Sequence, residues 1–185
     1  MRPLNPVRDK VVPHASGRVL EIGVGTGMNL ARYRGIEALY GVEPDPHMLK
    51  KATRRTKGLP FPVRLEQTGA ESLPYPDDFF DTAVMTWVLC TIPEPERALS
   101  EVRRVLKPGG KLLYAEHTRS RFPLAASLQD RLTPYWAKLG GGCQLNRDSI
   151  STLRESGFNG VTVKPCGRES WNLVPVYRGV AFKVA

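Results

Sequence analysis

The chain has 185 residues, 41% hydrophobic and 24% charged, enough for one well-buried core and too little for two ordinary domains. Its 27 Lys+Arg against 18 Asp+Glu give a net charge of +9, which permits attraction to nucleic acid, anionic membranes or acidic ligands without choosing among them. The longest apolar runs, such as 82–92, fall short of the roughly 20 residues of a membrane span, and residues 1–18 lack a signal-peptide apolar stretch, so a single-domain cytoplasmic protein is expected.

Residues 1–17 read as a short lead-in of one or two helical turns over a ligand site. From 18 onward, β-rich runs alternate with helical patterns, the signature of a parallel sheet with helices on both faces. Strands are predicted at 18–22, 38–42, 62–67, 81–86 and 111–116. Asp45 as N-cap and Pro46 behind it start a helix after the second strand. The basic stripe on that helix, Lys50, Lys51, Arg54, Arg55 and Lys57, reads as a solvated face. A further helix spans 95–106, with Pro108-Gly109-Gly110 ending it. Another covers 122–139, Gly140-Gly141-Gly142 breaks it, and Asn146 caps a last helix that stops at Gly157. Runs 161–164 and 177–184 pair as an antiparallel hairpin. The expected architecture is therefore α/β: one doubly wound, Rossmann-like domain over 1–185 with a mostly parallel seven-stranded sheet and a C-terminal antiparallel hairpin.

The loop Glu21-Ile22-Gly23-Val24-Gly25-Thr26-Gly27 carries the first chemical signal. A glycine-rich turn between strand and helix brings backbone N–H groups close to a ligand. The dinucleotide fingerprint needs its third glycine at 28, where Met28 stands, and no Gly-Lys-Ser/Thr follows to make a P-loop. Glu21 opposes a pyrophosphate but suits S-adenosylmethionine (SAM), whose amino and sulfonium groups are cationic. Glu43, at the end of the second strand, is placed to accept both ribose hydroxyls. SAM, leaving as S-adenosylhomocysteine, is the expected cofactor.

Together with this loop, Val42-Glu43-Pro44, the run Gly69-Ala70-Glu71-Ser72-Leu73-Pro74-Tyr75, Asp77-Asp78-Phe79-Phe80-Asp81 and Leu106-Lys107-Pro108-Gly109-Gly110 make the stretch 19–116 similar to SAM-dependent methyltransferases of the quinone-biosynthesis and phospholipid type. The resemblance implies a class I methyltransferase with cofactor contacts at Glu21, Gly23, Gly25, Gly27, Glu43, Pro44, Ala70, Glu71, Thr86 and Leu89. Ala70 and Glu71 would lie beside adenine; many members have Asp where this chain has Gly69. A closer likeness runs through Thr86-Trp87-Val88-Leu89-Cys90-Thr91-Ile92, Glu116-His117, Trp136, 140–145, Val174-Pro175 and Gly179. It resembles the methyltransferase-like family whose animal members are membrane-associated alkyl-thiol methyltransferases, and implies thiol S-methylation. The alternative is N-methylation of phosphatidylethanolamine or a related phospholipid, suggested by the basic stripe and the lack of polar recognition motifs. A SAM-binding module without turnover is the non-enzymatic alternative.

In open α/β sheets ligands sit beyond the carboxyl ends of strands, which places the acceptor near 86–92 and 116–118. No Asn/Asp-Pro-Pro-aromatic or Pro-Cys motif is present there, which argues against nucleic acid as a partner; a small-molecule or lipid-like acceptor is expected, with peripheral contact to an anionic membrane. His117 is the candidate general base, with a structural histidine in the site wall as the competing reading. Glu116 would orient His117 or touch the acceptor. Trp87, Cys90, Tyr135 and Trp136 are candidates to line the acceptor pocket, Cys90 as a small buried residue rather than a nucleophile. Cys90, Cys143 and Cys166 share no C-x-x-C spacing, so neither a disulfide framework nor a metal is expected. Residues 118–146 occupy the place of a substrate cover, with the glycine triplet allowing movement.

Overall fold

Seven strands form one sheet in the computed structural model, which describes residues 5–167 and 173–184. The first four residues of the lead-in lie outside the described residues. The chain opens with α1 (Asn5–Arg8) and a 3-10 turn (Val12–His14), then β1 (Gly17–Ile22), a second 3-10 turn (Leu30–Arg32), β2 (Ile36–Val42), α2 (Pro46–Arg54) and β3 (Val63–Glu66). There follow β4 (Phe80–Thr86), α3 (Pro95–Val105), β5 (Leu106–His117), α4 (Pro123–Leu139), α5 (Ser149–Glu155), β6 (Lys164–Pro165) and β7 (Val176–Phe182).

The strand order is β3-β2-β1-β4-β5-β7-β6. β1 to β5 are parallel, and β7 runs antiparallel to both β5 and β6, giving the expected mixed sheet with its C-terminal hairpin. The chain winds outward from β1 through β2 and β3, then returns to place β4 on the other side of β1. That reversal makes the crevice between β1 and β4 the topological switch point, where a doubly wound sheet takes its ligand.

Alternation along the strands divides the core. Leu20, Ile22, Met85 and Leu112 face the layer of α3 and α5 with Leu99, Val102 and Leu153, whereas Val19, Val84 and Leu113 face Ala52 of α2 and Val12 and Leu30 of the 3-10 turns. Asp45 caps α2 as expected: its Oδ1 accepts the His47 and Met48 amides at 2.7 and 3.1 Å. Lys50, Lys51 and Arg54 of α2 are exposed, as a solvated face should be, and Arg55 and Lys57 are exposed just beyond the end of the helix.

Four local expectations change. The glycine loop leads into a single 3-10 turn rather than a helix. Residue 106 belongs to β5, because Leu106 is already extended (ψ 141°) and pairs with Phe80; Pro108-Gly109-Gly110 is a bulge inside β5, with Gly109 at φ 73° and the register jumping from Phe80↔Leu106 to Thr82↔Lys111. Asp148, not Asn146, caps α5, its Oδ1 accepting the Ser151 amide at 3.1 Å, while Asn146 donates to Asp130 at 2.9 Å. The first hairpin strand moves to Lys164–Pro165, overlapping the expected 161–164 only at Lys164, because Thr162 bonds Val180 outside the ladder with backbone and hydroxyl.

Beyond β5, α4 is tied back by one buried amide. Gln129 Oε1 accepts the Ser120 amide at 2.8 Å, and its Nε2 donates to the Leu145 carbonyl at 2.9 Å. Arg147 Nη1 donates to the carbonyls of Leu89, at 2.7 Å, and Ile92. The segment 118–146 is thus clamped onto the ends of β4 and β5.

Candidate active site

A cleft of about 500 Å³ opens over the carboxyl ends of β1, β2 and β4, within the size range of small-molecule sites. Its floor is the glycine loop. The Gly23 and Val24 amides donate to the Val42 carbonyl at 2.9 and 3.1 Å, which joins the loop to the end of β2. Gly25 (φ 57°) faces open space: a Cβ there would meet nothing nearer than the Gly23 carbonyl oxygen at 3.9 Å, so the backbone is bare for a ligand. Gly27 has a packing role instead. Its own Cβ would lie 3.0 Å from the Ala52 Cα, and it does not line the cleft.

Glu43 hangs over this floor. Its Oε2 accepts the Gly25 amide at 2.9 Å and its Oε1 the Asp45 amide at 3.0 Å, which fixes the carboxylate and leaves lone pairs on both oxygens for a diol. Pro44, Ala70 and Glu71 continue the wall. A Cβ on Gly69 would lie 2.6 Å from Glu71 Oε2, so the Glu71 carboxylate fills the space that a side chain at 69 would occupy.

Glu21 sits behind the loop. It is buried and outside the lining, with Oε1 accepting from Asn29 Nδ2 at 2.8 Å and Oε2 from the Tyr33 hydroxyl at 2.9 Å. Burial pushes its carboxyl up to about 7, against the lowering effect of these two hydrogen bonds and of Arg8. The network continues forward: Arg8 Nη1 donates to Asn29 Oδ1 and to Thr86 Oγ1, both at 2.8 Å, and Arg8 stacks 4.7 Å above the Trp87 ring. Arg8, Thr86 and Trp87 all line the cleft. Trp87 adopts φ 53°, a region that bulky residues seldom occupy, and its amide donates to the Ala115 carbonyl at 2.9 Å; the local strain re-aims the ring at the end of β4.

The chain after β4 and the glycine triplet add Val88, Thr91, Ile92, Pro93, Gly140 and Gly141 to the lining, neutral groups throughout. Tyr135 and Trp136 do not reach it. Tyr135 is 71% exposed on α4, and Trp136, 47% exposed, packs its indole against Gly140. Leu89 and Cys90 are buried outside the lining, because the chain turns inward after Trp87. Glu116 and His117 are also behind the wall. Glu116 Oε1 accepts the Val88 and Leu89 amides at 3.0 and 3.2 Å, and burial pushes this carboxyl up to about 7. His117 Nε2 lies 3.1 Å from Cys143 Sγ. A hydrogen bond from the Cys90 thiol holds the Cys143 thiol well below the usual range, with His117 adding to the effect, and the same bond pushes Cys90 up.

A family model described as a methyltransferase domain matches residues 20–114, about half the chain and the whole of this cofactor half. The chain belongs to the SAM-dependent methyltransferases. It is 41% identical over 113 residues to a phosphatidylethanolamine N-methyltransferase of Cereibacter sphaeroides, covering 60% of this chain and 56% of that protein. With human thiol S-methyltransferase TMT1B it shares 33% identity over 156 residues, 81% of this chain and 64% of the relative. The chain thus spans less than two thirds of the length of these two relatives. Among solved structures, a SAM-dependent methyltransferase from Thermotoga maritima superposes with a TM-score of 0.68 at 25% identity, covering 95% of this chain and 87% of that one.

For a methyltransferase cleft, the residues that sequence reasoning missed are mostly polar partners at long range. Arg8 gave no signal as a lone cation in the lead-in, and Asn29 none as a loop residue. Gly140 and Gly141 were legible as a breaker of α4 but not as cleft wall. No described helix is long and apolar enough to cross a membrane.

Proposed function

We propose that the protein transfers the methyl group of SAM to a small-molecule thiol. The observation that carries the acceptor class is the neutral stretch of the lining: Val88, Thr91, Ile92, Pro93, Gly140 and Gly141 carry no titratable side chain, and the charged lining residues, Arg8, Glu43, Asp45 and Glu71, include no imidazole. An acceptor seated against that stretch touches no titratable side chain that could take its proton. A thiol with a pKa about 8.5 supplies thiolate unaided near neutrality, whereas an ammonium does not. Similarity to a thiol S-methyltransferase that reaches over 81% of the chain, past the cofactor half, supports the same reading.

In this reading Glu43 accepts the ribose hydroxyls, Ala70 and Glu71 flank adenine with Glu71 accepting from its amino group, and Gly23 and Gly25 lie under the methionine portion. Arg8 pairs with the methionine carboxylate, and ionised Glu21 stabilises the cationic amino and sulfonium groups from behind the loop. SAM supplies an activated methyl donor; the protein aligns the acceptor in line with it and excludes water. No side-chain base is required, which removes that role from His117.

N-methylation of an aminophospholipid is the second reading. It is favoured by Leu124, Leu128, Leu132, Tyr135 and Leu139, which expose one apolar face of α4 on a chain of net charge +9, a surface suited to an anionic bilayer. Methyl-labelled SAM offered with a panel of alkyl thiols, and separately with phosphatidylethanolamine vesicles, tests both. Labelled thioether with stoichiometric S-adenosylhomocysteine is the expected result. Label in the phospholipid alone selects the second reading, and SAM binding without label in either acceptor marks a module without turnover.

A further inference from the structure

Beside the neutral stretch of the cleft lining, three side chains that are far apart in sequence converge. Cys90 follows β4, His117 ends β5 and Cys143 follows the glycine triplet after α4; their ligand atoms all lie within 4.8 Å of one another. Cys90 and His117 are buried and Cys143 is half-buried. Two thiols and an imidazole form a soft donor set, the kind that selects Zn2+ and related thiophilic cations over Mg2+ or Ca2+. Tetrahedral zinc with S and N donors at 2.3 and 2.1 Å needs those donors about 3.6 Å apart, so the 3.1 Å between His117 Nε2 and Cys143 Sγ has to open only slightly. The adjoining Gly141 and Gly142, both at positive φ, give Cys143 that freedom.

A second observation is independent of the donor geometry. Glu116 Oε2 and His117 Nδ1 are buried with no hydrogen-bond partner among the described residues. Glu116 uses its other oxygen to hold the Val88 and Leu89 amides, the backbone that leads into Cys90. Buried polar atoms without partners, beside two thiols and an imidazole, mark a cluster that the surrounding fold does not satisfy by itself.

We propose that Cys90, His117 and Cys143 bind a Zn2+ ion whose fourth position faces the neutral stretch of the cleft and takes the acceptor thiol as its thiolate. Three protein ligands and one exchangeable position are the pattern of catalytic rather than structural zinc. Thr91, next to Cys90, and Gly141, two residues from Cys143, line the cleft, and a Cβ on Gly142 would stand 4.0 Å from the Thr91 carbonyl oxygen, so the segments that carry the two thiols adjoin where they form the cleft wall. The acceptor thiol gives its proton to solvent on coordination. A lone pair of its sulfur then forms the new C–S bond, the C–S bond of the sulfonium breaks with its electron pair returning to that sulfur, and the products are a neutral thioether and S-adenosylhomocysteine. The metal site stands on its own geometry; its role toward the acceptor rests on the thiol reading above.

Untagged protein, reduced and treated with chelator, is titrated with Co2+ as a spectroscopic substitute and then with Zn2+. The expected result is one equivalent bound, thiolate-to-cobalt charge transfer with visible bands of tetrahedral Co2+, and displacement by Zn2+ with a rise in Tm. Cys143→Ser and Cys90→Ser are each expected to weaken Zn2+ binding by roughly 100-fold, at least the cost of altering an outer-shell partner, while Cys166→Ser leaves it unchanged. Circular dichroism of each variant separates lost ligation from lost folding, and the half-buried Cys143 is the variant that keeps the test open if Cys90→Ser fails to fold. An alkyl thiol added to the Co2+ protein is expected to shift the spectrum, and an alkylamine is not. Absence of the charge-transfer band in folded wild-type protein, or the same band in both cysteine variants, overturns the site. A normal band that no thiol perturbs overturns its role toward the acceptor, whether or not metal-free protein methylates thiols.

Discussion

The carboxylate of Glu43 accepts the amide of Gly25 at 2.9 Å, so the residue proposed to hold the ribose also fixes the glycine loop. Glu43→Ala removes both functions. SAM affinity measured by calorimetry is expected to fall by about 10- to 100-fold, the equivalent of one or more charge-assisted hydrogen bonds at roughly 1.5–3 kcal/mol. Glu43→Gln retains an acceptor oxygen and is expected to lose less. An Ala variant that binds SAM normally would remove Glu43 from the site.

Arg8 joins the lead-in to the cleft through Asn29, Thr86 and the Trp87 ring. Arg8→Ala is expected to weaken SAM by about tenfold through the lost ion pair with its carboxylate. Arg8→Lys should recover only part, since a lysine cannot bridge two oxygens and stack on the indole together. If decarboxylated SAM shows the same loss as SAM in Arg8→Ala, the ion pair is not the cause.

Burial raises the Glu21 carboxyl to about 7 in the free protein, and this has two consequences of opposite sign. Between about 4.5 and 7 the folded protein holds a proton that the unfolded chain has released. The resulting stability is fully present below about 4.5 and is lost as pH rises through 7. SAM, by contrast, favours the ionised form, so its affinity should rise across the same range. Calorimetric binding at pH 6 and pH 8 is expected to favour pH 8, and Glu21→Gln to flatten the profile; an unchanged slope in the variant would assign the titration elsewhere.

Gln129 holds the Ser120 amide and the Leu145 carbonyl at once. Gln129→Leu keeps the volume and leaves both groups buried without partners, a cost of about 2–4 kcal/mol, equal to a Tm lower by about 5–10 °C at this chain length. Acceptor KM should rise more than SAM Kd, because the clamp secures 118–146 and leaves the glycine loop untouched. Equal changes in both would point to global loosening.

Much of this was legible from residues alone. Strand alternation and the Asp45-Pro46 start have local causes, and the spacing of Gly23, Gly25 and Gly27 with Glu43 falls at the ends of β1 and β2, two strands adjacent both in sequence and in space. Where local preference was divided, the neighbours decided: Leu106 could extend α3 or begin β5, and pairing with Phe80 made it strand. Asn146 and Asp148 are both good caps, and the bond to Asp130 took Asn146 away.

What the sequence by itself determined is the α/β class, the glycine loop at the end of β1 and the carboxylate at the end of β2, because each depends on turns and periodicities of a few residues. Tertiary structure alone decided the rest. Arg8 meets Thr86, and Cys90, His117 and Cys143 meet one another, only because the sheet sets β4 between β1 and β5 and α4 returns over their ends. Scattered spacing argues against a shared site in sequence, but parallel neighbouring strands bring their carboxyl ends together whatever the length of chain between them.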